Sequence, residues 1–401
     1  MQRALLRIGL TMFARMAGRL VPKRRDLVIF GAMNGSGYGD NSAHLFEWMR
    51  EHRPDIRCVW ITRSRSVREQ LARRGLPVLL ARSIRGVKTL LRARVGVFTN
   101  SLGDLAAYSD MVPASIRLVA LRHGQPVKRI RFARAGHRMD DAEVLARTRE
   151  GALIRHVAST SEFVSDIQEE CLRIGRHKHV VTGYPRNDNL LDVPEEYSRR
   201  WSAFLDGARP AKVVLYALTW RYGRAAPLFF PFDDFDRDEL SDVLRRNETM
   251  LLLRPHVRDL EIYPDLRGTL EGFADDGLVR LATHREMMDV NTMLPFVDAM
   301  VSDYSSIYHD YLLLDRPLLF TPYDYGEFER LQGFLYDYYE TLPGPAVYTF
   351  REFVDELDSA LSGDDRYSHR RAALTEKIHT YRDAESSRRV SELVTSTLQE
   401  A

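Results

Sequence analysis

The sequence predicts an α/β protein built from two doubly wound domains in tandem. The chain has 401 residues, more than one hydrophobic core usually holds. Short apolar runs alternate with amphipathic helical stretches through both halves, the pattern of parallel sheets covered by helices on both faces. Between the halves, residues 192–210 are polar and contain Pro194, Gly207 and Pro210. A boundary near residue 210 follows, with an N-terminal domain over 26–209 and a C-terminal domain over 210–401.

Residues 1–25 form a separate element. Arg3, Arg7, Arg15 and Arg19, with Thr11 between them, recur at intervals of four or eight, apolar residues such as Leu6, Leu10, Phe13 and Leu20 fill the rest, and Lys23-Arg24-Arg25 follows. A step of four rotates a helix by only about 40°, so the arginines share one face and the apolar residues the other. The pattern is that of a helix lying on an anionic membrane surface, or of one packed on its own protein.

Residues 26–31 read as a buried strand and residues 43–50 as the helix after it, joined by a Gly-rich loop. Strand-like runs at 56–62, 77–81, 95–99 and 116–121 alternate with helical stretches at 66–74 and 84–93. Residues 153–159, the helical 162–174 and the run 179–182 complete the first domain. In the second half the strands fall at 212–217, 250–253, 279–282, 299–301 and 317–321, and residues 368–399 read as one long charged helix that could reach back across the boundary. Two such domains would turn the carboxyl ends of both sheets toward a central cleft, so sites are expected just after strands.

Composition narrows the function. With a formal net charge of only +2, the chain lacks the basic excess that wraps nucleic acid, so any basic function is local. Cys58 and Cys171 are too few for a disulfide framework or a cysteine-based zinc site, which fits a reducing cytoplasm. No window reaches the roughly 18 to 20 consecutive apolar residues of a membrane span, and no cleavage site follows a clean apolar stretch at the start.

Four strand ends carry groups suited to phosphate chemistry. After the run 118–121 comes Arg122-His-Gly-Gln-Pro-Val-Lys128. His123 suits a general base, since an ordinary imidazole accepts a proton near neutral pH, and Lys128 offers a phosphate a point charge. A lone histidine in such a place is also commonly structural. Leu251-Leu-Leu-Arg-Pro-His256 ends in a cationic turn, where Pro255 would direct Arg254 and His256 to the sheet edge as a phosphate clamp. Tyr216-Ala-Leu-Thr-Trp-Arg221 brings the Thr219 hydroxyl and the Arg221 guanidinium together. In Val301-Ser-Asp-Tyr-Ser-Ser306 a strand breaks at Ser302-Asp303 and a helix is expected from about Ser305, so Ser305 and Ser306 would meet a pyrophosphate at a helix N-terminus. An ordinary N-cap would explain Ser305 alone. The loop 31–39 is glycine-rich, but its spacing departs from the dinucleotide fingerprint.

In their order, His-Gly-x-x-x-Lys, Tyr-x-x-Thr-Trp-Arg, Arg-Pro-His, Ser-Asp-Tyr-Ser-Ser and Tyr-x-Glu-x-x-Pro-Gly-Pro resemble the CDP-glycerol glycerophosphotransferase family of teichoic-acid synthesis, over about residues 26–390. Gly183-Tyr-Pro-Arg-Asn-Asp188 is similar to that family's Gly-x-Pro-Arg-x-Asp. The resemblance implies a GT-B fold and transfer of a polyol phosphate, glycerol phosphate first, from a CDP-activated donor to a hydroxyl of a lipid-linked or glycan acceptor. CMP would be released, with no cofactor and no metal required. His123 would be the base on the acceptor side and His256 would stabilise the donor phosphate. Arg254, Ser305 and Ser306 would be further donor contacts, with Asp303, Thr219, Arg221 and Lys128 completing the phosphate-binding set. It also implies peripheral attachment to the cytoplasmic face of the cell membrane, through residues 1–25. Two departures are Gln332-Gly333, where the family usually has Arg-Gly, and Ala217-Leu218, which replaces a proline-bearing turn. The competing reading is a GT-B glycosyltransferase or nucleotide-sugar epimerase.

Overall fold

Residues 11, 12, 14, 16–18, 20–134, 139–221, 227–274 and 277–400 are described by the structure, a computed structural model. The chain divides into two compact units. The first takes in the chain to Gln125, a stretch ending at Asp188, and everything from Thr380 onward. The second holds a short segment from Pro126 and the span Asn189–His379.

The first unit is built on a seven-stranded parallel sheet, ordered β3-β2-β1-β4-β5-β6-β7. Its strands are β1 (Arg24–Gly31), β2 (Arg57–Thr62), β3 (Val78–Leu80), β4 (Ala93–Phe98), β5 (Arg117–Ala120), β6 (Ile154–Ser159) and β7 (His179–Val181). Val28 lies in register with Cys58 on one side and Val95 on the other. Val28, Phe30, Val95 and Val119 pack beneath Leu45, Phe46 and Met49 of helix Asp40–His52 and Val390, Val394 and Leu398 of helix Ser386–Gln399. Each such side chain, fully buried, contributes about 1.5–3 kcal/mol. Strand order reverses between β1 and β4, and there Gly31 is required: a Cβ on it would stand 2.1 Å from the Asp104 carbonyl. Cys58 and Cys171 are buried and not joined in a disulfide.

The final helix explains part of the motif at residues 183–188. Both oxygens of Asp188 accept from the start of that helix, from Ser386 N at 2.8 Å and Ser387 N at 2.7 Å. Gly183 has φ +76 and a Cβ there would lie 2.3 Å from Ser386 Oγ, so glycine permits the approach.

The second unit has a five-stranded parallel sheet, ordered β10-β9-β8-β11-β12. The strands are β8 (Lys212–Ala217), β9 (Thr249–Arg254), β10 (Val279–Leu281), β11 (Ala299–Ser302) and β12 (Leu318–Phe320). Val214, Tyr216, Leu251, Leu253 and Val301 pack under Phe350, Phe353, Val354 and Leu357 of helix Phe350–Ser362, which opens with a Thr349/Glu352 capping box. A short antiparallel pairing adds the segment near Lys128: Arg129 N donates to Gly333 O (2.9 Å) and Leu335 N to Val127 O (3.0 Å).

Three expectations need correction. The division falls between Asp188 and Asn189, not near residue 210, because helix Glu195–Leu205 packs in the second unit. Its polar sequence hides a buried stripe: Trp201 stacks on Phe296 at 5.3 Å, and Arg280 Nη1 donates to Phe204 O at 2.7 Å. The long terminal helix is two helices, Ser368–Ile378 and Ser386–Gln399. Between them His379 turns extended and its Nε2 hydrogen-bonds His309 O at 2.7 Å, while Thr380 N donates to Thr160 O at 2.9 Å. The third concerns Ser305, since the helix after β11 starts only at Ile307 and has five residues.

Arg3, Arg7, Arg15 and Arg19 lie outside the described residues, as does Phe13. Of their neighbours, Met12, Met16 and Leu20 are exposed while Ala14 is buried. Among the described residues no helix is long and apolar enough to cross a membrane.

Candidate active site

Two carboxyl edges hold the residues singled out from sequence, one in each unit. In the first unit, β5 ends and Arg122 turns into the left-handed region with φ +60, followed by His123 and by Gly124 at φ +155. That φ is one glycine adopts freely, which accounts for the His-Gly pair. The turn leaves the His123 side chain 68% exposed while its Nδ1 lies 2.5 Å from Asp40 Oδ2.

Asp40 is the first residue of helix Asp40–His52 and is itself left-handed, with φ +60. Strain at a non-glycine residue persists where the surroundings over-determine it, and Asp40 is held from several sides. Arg186 Nη1 meets its other oxygen at 3.0 Å, and Asn41 N donates to that same oxygen at 2.7 Å. Asn41 then ties the strands together, donating to Arg122 O (2.9 Å) and accepting from Arg186 N (3.1 Å). Burial pushes the Asp40 carboxyl up, but His123 and Arg186 outweigh burial and hold it below the ordinary range. A carboxylate on Nδ1 places the ring proton there and leaves Nε2 as the basic nitrogen. This is a base oriented by a buried anion, an arrangement suited to removing a hydroxyl proton.

Sequence reasoning singled out His123 and missed Asp40. The partner lies 83 positions away, and only its place directly after the glycine-rich loop hinted at it. Arg186 was visible in the motif at 183–188 but had no role assigned.

In the second unit, strand order reverses between β8 and β11, the place where open α/β sheets bind ligands. Ser302 Oγ donates to Ala217 O at 2.8 Å and Thr219 N to Asp303 Oδ1 at 2.8 Å, which joins the two strand ends. Arg221 Nη1 lies 2.9 Å from Asp303 Oδ2, and the same guanidinium grips Asp324 in bidentate fashion at 2.7 and 3.0 Å. Tyr304 adds its hydroxyl to Asp324 at 3.0 Å. Burial raises the Asp303 carboxyl, with Arg221 pulling the other way.

Lys128 reaches this cluster, donating from Nζ to Thr219 Oγ1 at 2.7 Å. Burial lowers its ammonium to about 8, opposed by Asp303. Asp259, 1% exposed, is pushed up to about 6 by burial. The structure therefore brings Lys128, Thr219, Arg221 and Asp303 into one cluster, in which Arg221 and Asp303 brace each other in the interior. Gln332, one of the departures from the family pattern, donates from its side chain to Arg129 O and so secures the strand that carries Lys128.

His256 caps helix Val257–Ile262, with its Nδ1 accepting from Arg258 N at 3.2 Å. A ring that accepts at Nδ1 carries its proton on Nε2, which can donate to a phosphate oxygen. Arg254 is turned differently from the expected clamp. Its Nη1 donates to Ala282 O at 2.7 Å, bracing the chain after β10, and burial lowers the guanidinium to about 10. Ser305 and Ser306 are half-buried on the turn after β11, and Ser306 makes no side-chain cap.

Residues 12–396 match the family described as CDP-Glycerol:Poly(glycerophosphate) glycerophosphotransferase. A teichoic acid poly(glycerol phosphate) polymerase of Bacillus subtilis (strain 168) is 29% identical over 364 residues, 87% of this chain; the chain spans about half of that relative, 46%. A teichoic acid glycerol-phosphate transferase of Staphylococcus aureus is 25% identical across 92% of this chain and 93% of its own length. From the same organism, the ribitol-phosphate polymerase TarL is 26% identical over 59% of this chain and 41% of its own length. The solved structure of the wall teichoic acid polymerase TagF covers 99% of this chain and 96% of its own, with a TM-score of 0.78 at 20% identity, which establishes the GT-B-like α/β fold. With both the fold and the family match in hand, the chain belongs to the CDP-glycerol:poly(glycerophosphate) glycerophosphotransferases, enzymes of teichoic-acid polyol-phosphate transfer.

Proposed function

We propose that this enzyme transfers glycerol phosphate from CDP-glycerol to a hydroxyl of a membrane-associated acceptor and releases CMP. The observation that carries the proposal is the Asp40–His123 pair, an exposed imidazole held by a buried, charge-compensated carboxylate. His123 Nε2 takes the proton of the acceptor hydroxyl as its oxygen bonds to the phosphorus bearing glycerol. The bond from that phosphorus to the bridging oxygen of the diphosphate breaks, and CMP leaves with the electron pair. Such transfers ask a protein mainly for positioning and charge neutralisation. His256 Nε2–H, the Lys128 ammonium and the Ser305 and Ser306 hydroxyls supply these to the donor, while Thr219 orients Lys128. Arg221, Asp303 and Arg254 hold the loops that carry these groups. Glycerol is favoured over ribitol by the names of relatives that align over most of this chain, which are glycerol-phosphate enzymes.

Attachment to the cytoplasmic face of the membrane through residues 1–25 is part of the same proposal. The exposed Met12, Met16 and Leu20, spaced by four, support it.

The test is CMP release from CDP-glycerol, CDP-ribitol and a UDP-sugar control with membrane acceptor, for wild type, His123→Ala and His256→Ala. The expected result is release from CDP-glycerol, reduced by about 10²-fold or more in His123→Ala. No CMP from either CDP-polyol, or undiminished release in both variants, would overturn the reading. For the membrane part, deletion of residues 1–20, which leaves β1 intact, is expected to abolish sedimentation with liposomes while a soluble acceptor is still used. Unchanged sedimentation would return that helix to the protein's own packing.

A further inference from the structure

At the amino edge of the first sheet, opposite the edge that carries His123, lies a cavity of about 360 Å³. Five cations line it: Arg24 at the start of β1, Arg57 at the start of β2, and Arg85, Lys88 and Arg92 of helix Ile84–Arg92. The spacing of three and four puts the last three on one face of that helix. Register explains the convergence: Arg24 pairs with Ala93, directly after Arg92, and Arg57 with Leu27, which lines the cavity with Leu79 and Thr89.

The helix is held close by Gly86, where a Cβ would stand 2.1 Å from Leu80 O. Lys23 secures its other end, with Nζ donating to Leu91 O at 2.7 Å.

Charge around this cavity is unbalanced. Arg24 is paired with Asp26 at 2.8 Å. Among the described residues Arg85, Lys88 and Arg92 make no side-chain hydrogen bond or ion pair and are exposed, while Arg57, also exposed, acts electrostatically on Asp26. Residues 1–25 and 70–103, which include the helix that supplies three of the five cations, contain no Asp or Glu, in a chain whose net charge is only +2. Unpaired cations held together around a concave surface repel one another, and an anion with several acceptor oxygens relieves this.

We propose that this cavity is an anion site that takes a phosphate group, either on a soluble phosphate compound or on a lipid headgroup, separate from the donor and acceptor groups of the transfer reaction. The site does not depend on the assignment of His123 or His256.

The test uses the full chain in two arms. Calorimetric titration with inorganic phosphate and glycerol 3-phosphate reports the soluble source. Sedimentation with phosphatidylglycerol vesicles against phosphatidylcholine vesicles reports the headgroup. Arg85→Glu/Lys88→Glu is compared with Arg199→Glu/Arg200→Glu, the same charge change on another helix, and melting curves verify folding. If the reversed pair unfolds, Arg57→Gln/Arg92→Gln takes its place.

Binding in at least one arm, weakened tenfold or more by the cavity pair and not by the control pair, is the expected result. It should also weaken with added salt. No binding in either arm, or equal loss in both variant pairs, would overturn the proposal. Vesicle binding retained by the cavity pair but lost on deleting residues 1–20 would leave the interfacial helix standing and overturn the headgroup source.

Discussion

At the edge of the first sheet, His123 is 68% exposed and the Asp40 carboxylate that holds it 2%. At the edge of the second, the ion-paired Arg221 and Asp303 are 2% and 0% exposed. Both edges bury an Arg–Asp pair, Arg186–Asp40 in one and Arg221–Asp303 in the other. The first pair projects a titratable ring into solvent, whereas the second locks two strand ends together and leaves contact with ligand to its neighbours. A buried charge in an α/β edge can therefore orient chemistry or merely hold a loop, and its exposed neighbour tells which.

The sharpest way to break this comparison is to remove one member of each pair. Arg221→Met leaves Asp303 and Asp324 without their buried counterion, and a loss of about 3–5 kcal/mol in denaturant unfolding is expected. His123→Ala removes one partner of the buried Asp40 while Arg186 remains, so it should cost about 1–2 kcal/mol, less than Arg221→Met, while CMP release falls by about 10²–10⁴-fold. A large melting shift in His123→Ala, or none in Arg221→Met, would erase the distinction.

Gly31→Ala tests whether backbone approach matters equally in both sheets. The Asp104 carbonyl stands 2.1 Å from the new Cβ, and in the second sheet Gly344→Ala meets Leu318 O at 1.9 Å. Each should cost about 1–3 kcal/mol by thermal or denaturant unfolding.

Lys128 sharpens the contrast through pH. Its ammonium is lowered to about 8, so the charge is present below that pH and lost above it. Donor KM should rise as pH passes 8. Stability should rise too, between pH 8 and the ordinary lysine value of about 10.4, because there the unfolded chain binds the proton that the folded one has released. Lys128→Met should flatten both profiles. The smallest effect expected is on the stability of Ser306→Ala, within about 0.5 kcal/mol because the hydroxyl makes no cap bond, accompanied by a raised donor KM.

Much of this was legible in the sequence because strands in parallel sheets are short apolar runs, and among the described residues all twelve strands of the two sheets fall at or within two residues of the apolar runs that predicted them. His123 was legible because Gly124 marks a turn only glycine makes easily. Thr219 and Lys128 were legible as strand-end polar groups. Asp40 was not, since its role comes from a tertiary contact across 83 positions and from a strained φ that no local pattern encodes. The boundary was misplaced because helix Glu195–Leu205 shows four Glu and Arg residues for every buried Tyr197 and Trp201 pair, so its surface outweighs its core face. Residues 379–385 carry no proline or glycine, and the break in the last helix arises from their contacts.

The most direct test of the oriented base is a double-mutant cycle on kcat for CMP release, using His123→Ala, Asp40→Asn and the double variant, each checked for an unchanged donor KM. If Asp40 acts through His123, Asp40→Asn lowers kcat by itself and adds nothing once His123 is gone, so the double variant matches His123→Ala. Losses that multiply in the double variant would contradict the account.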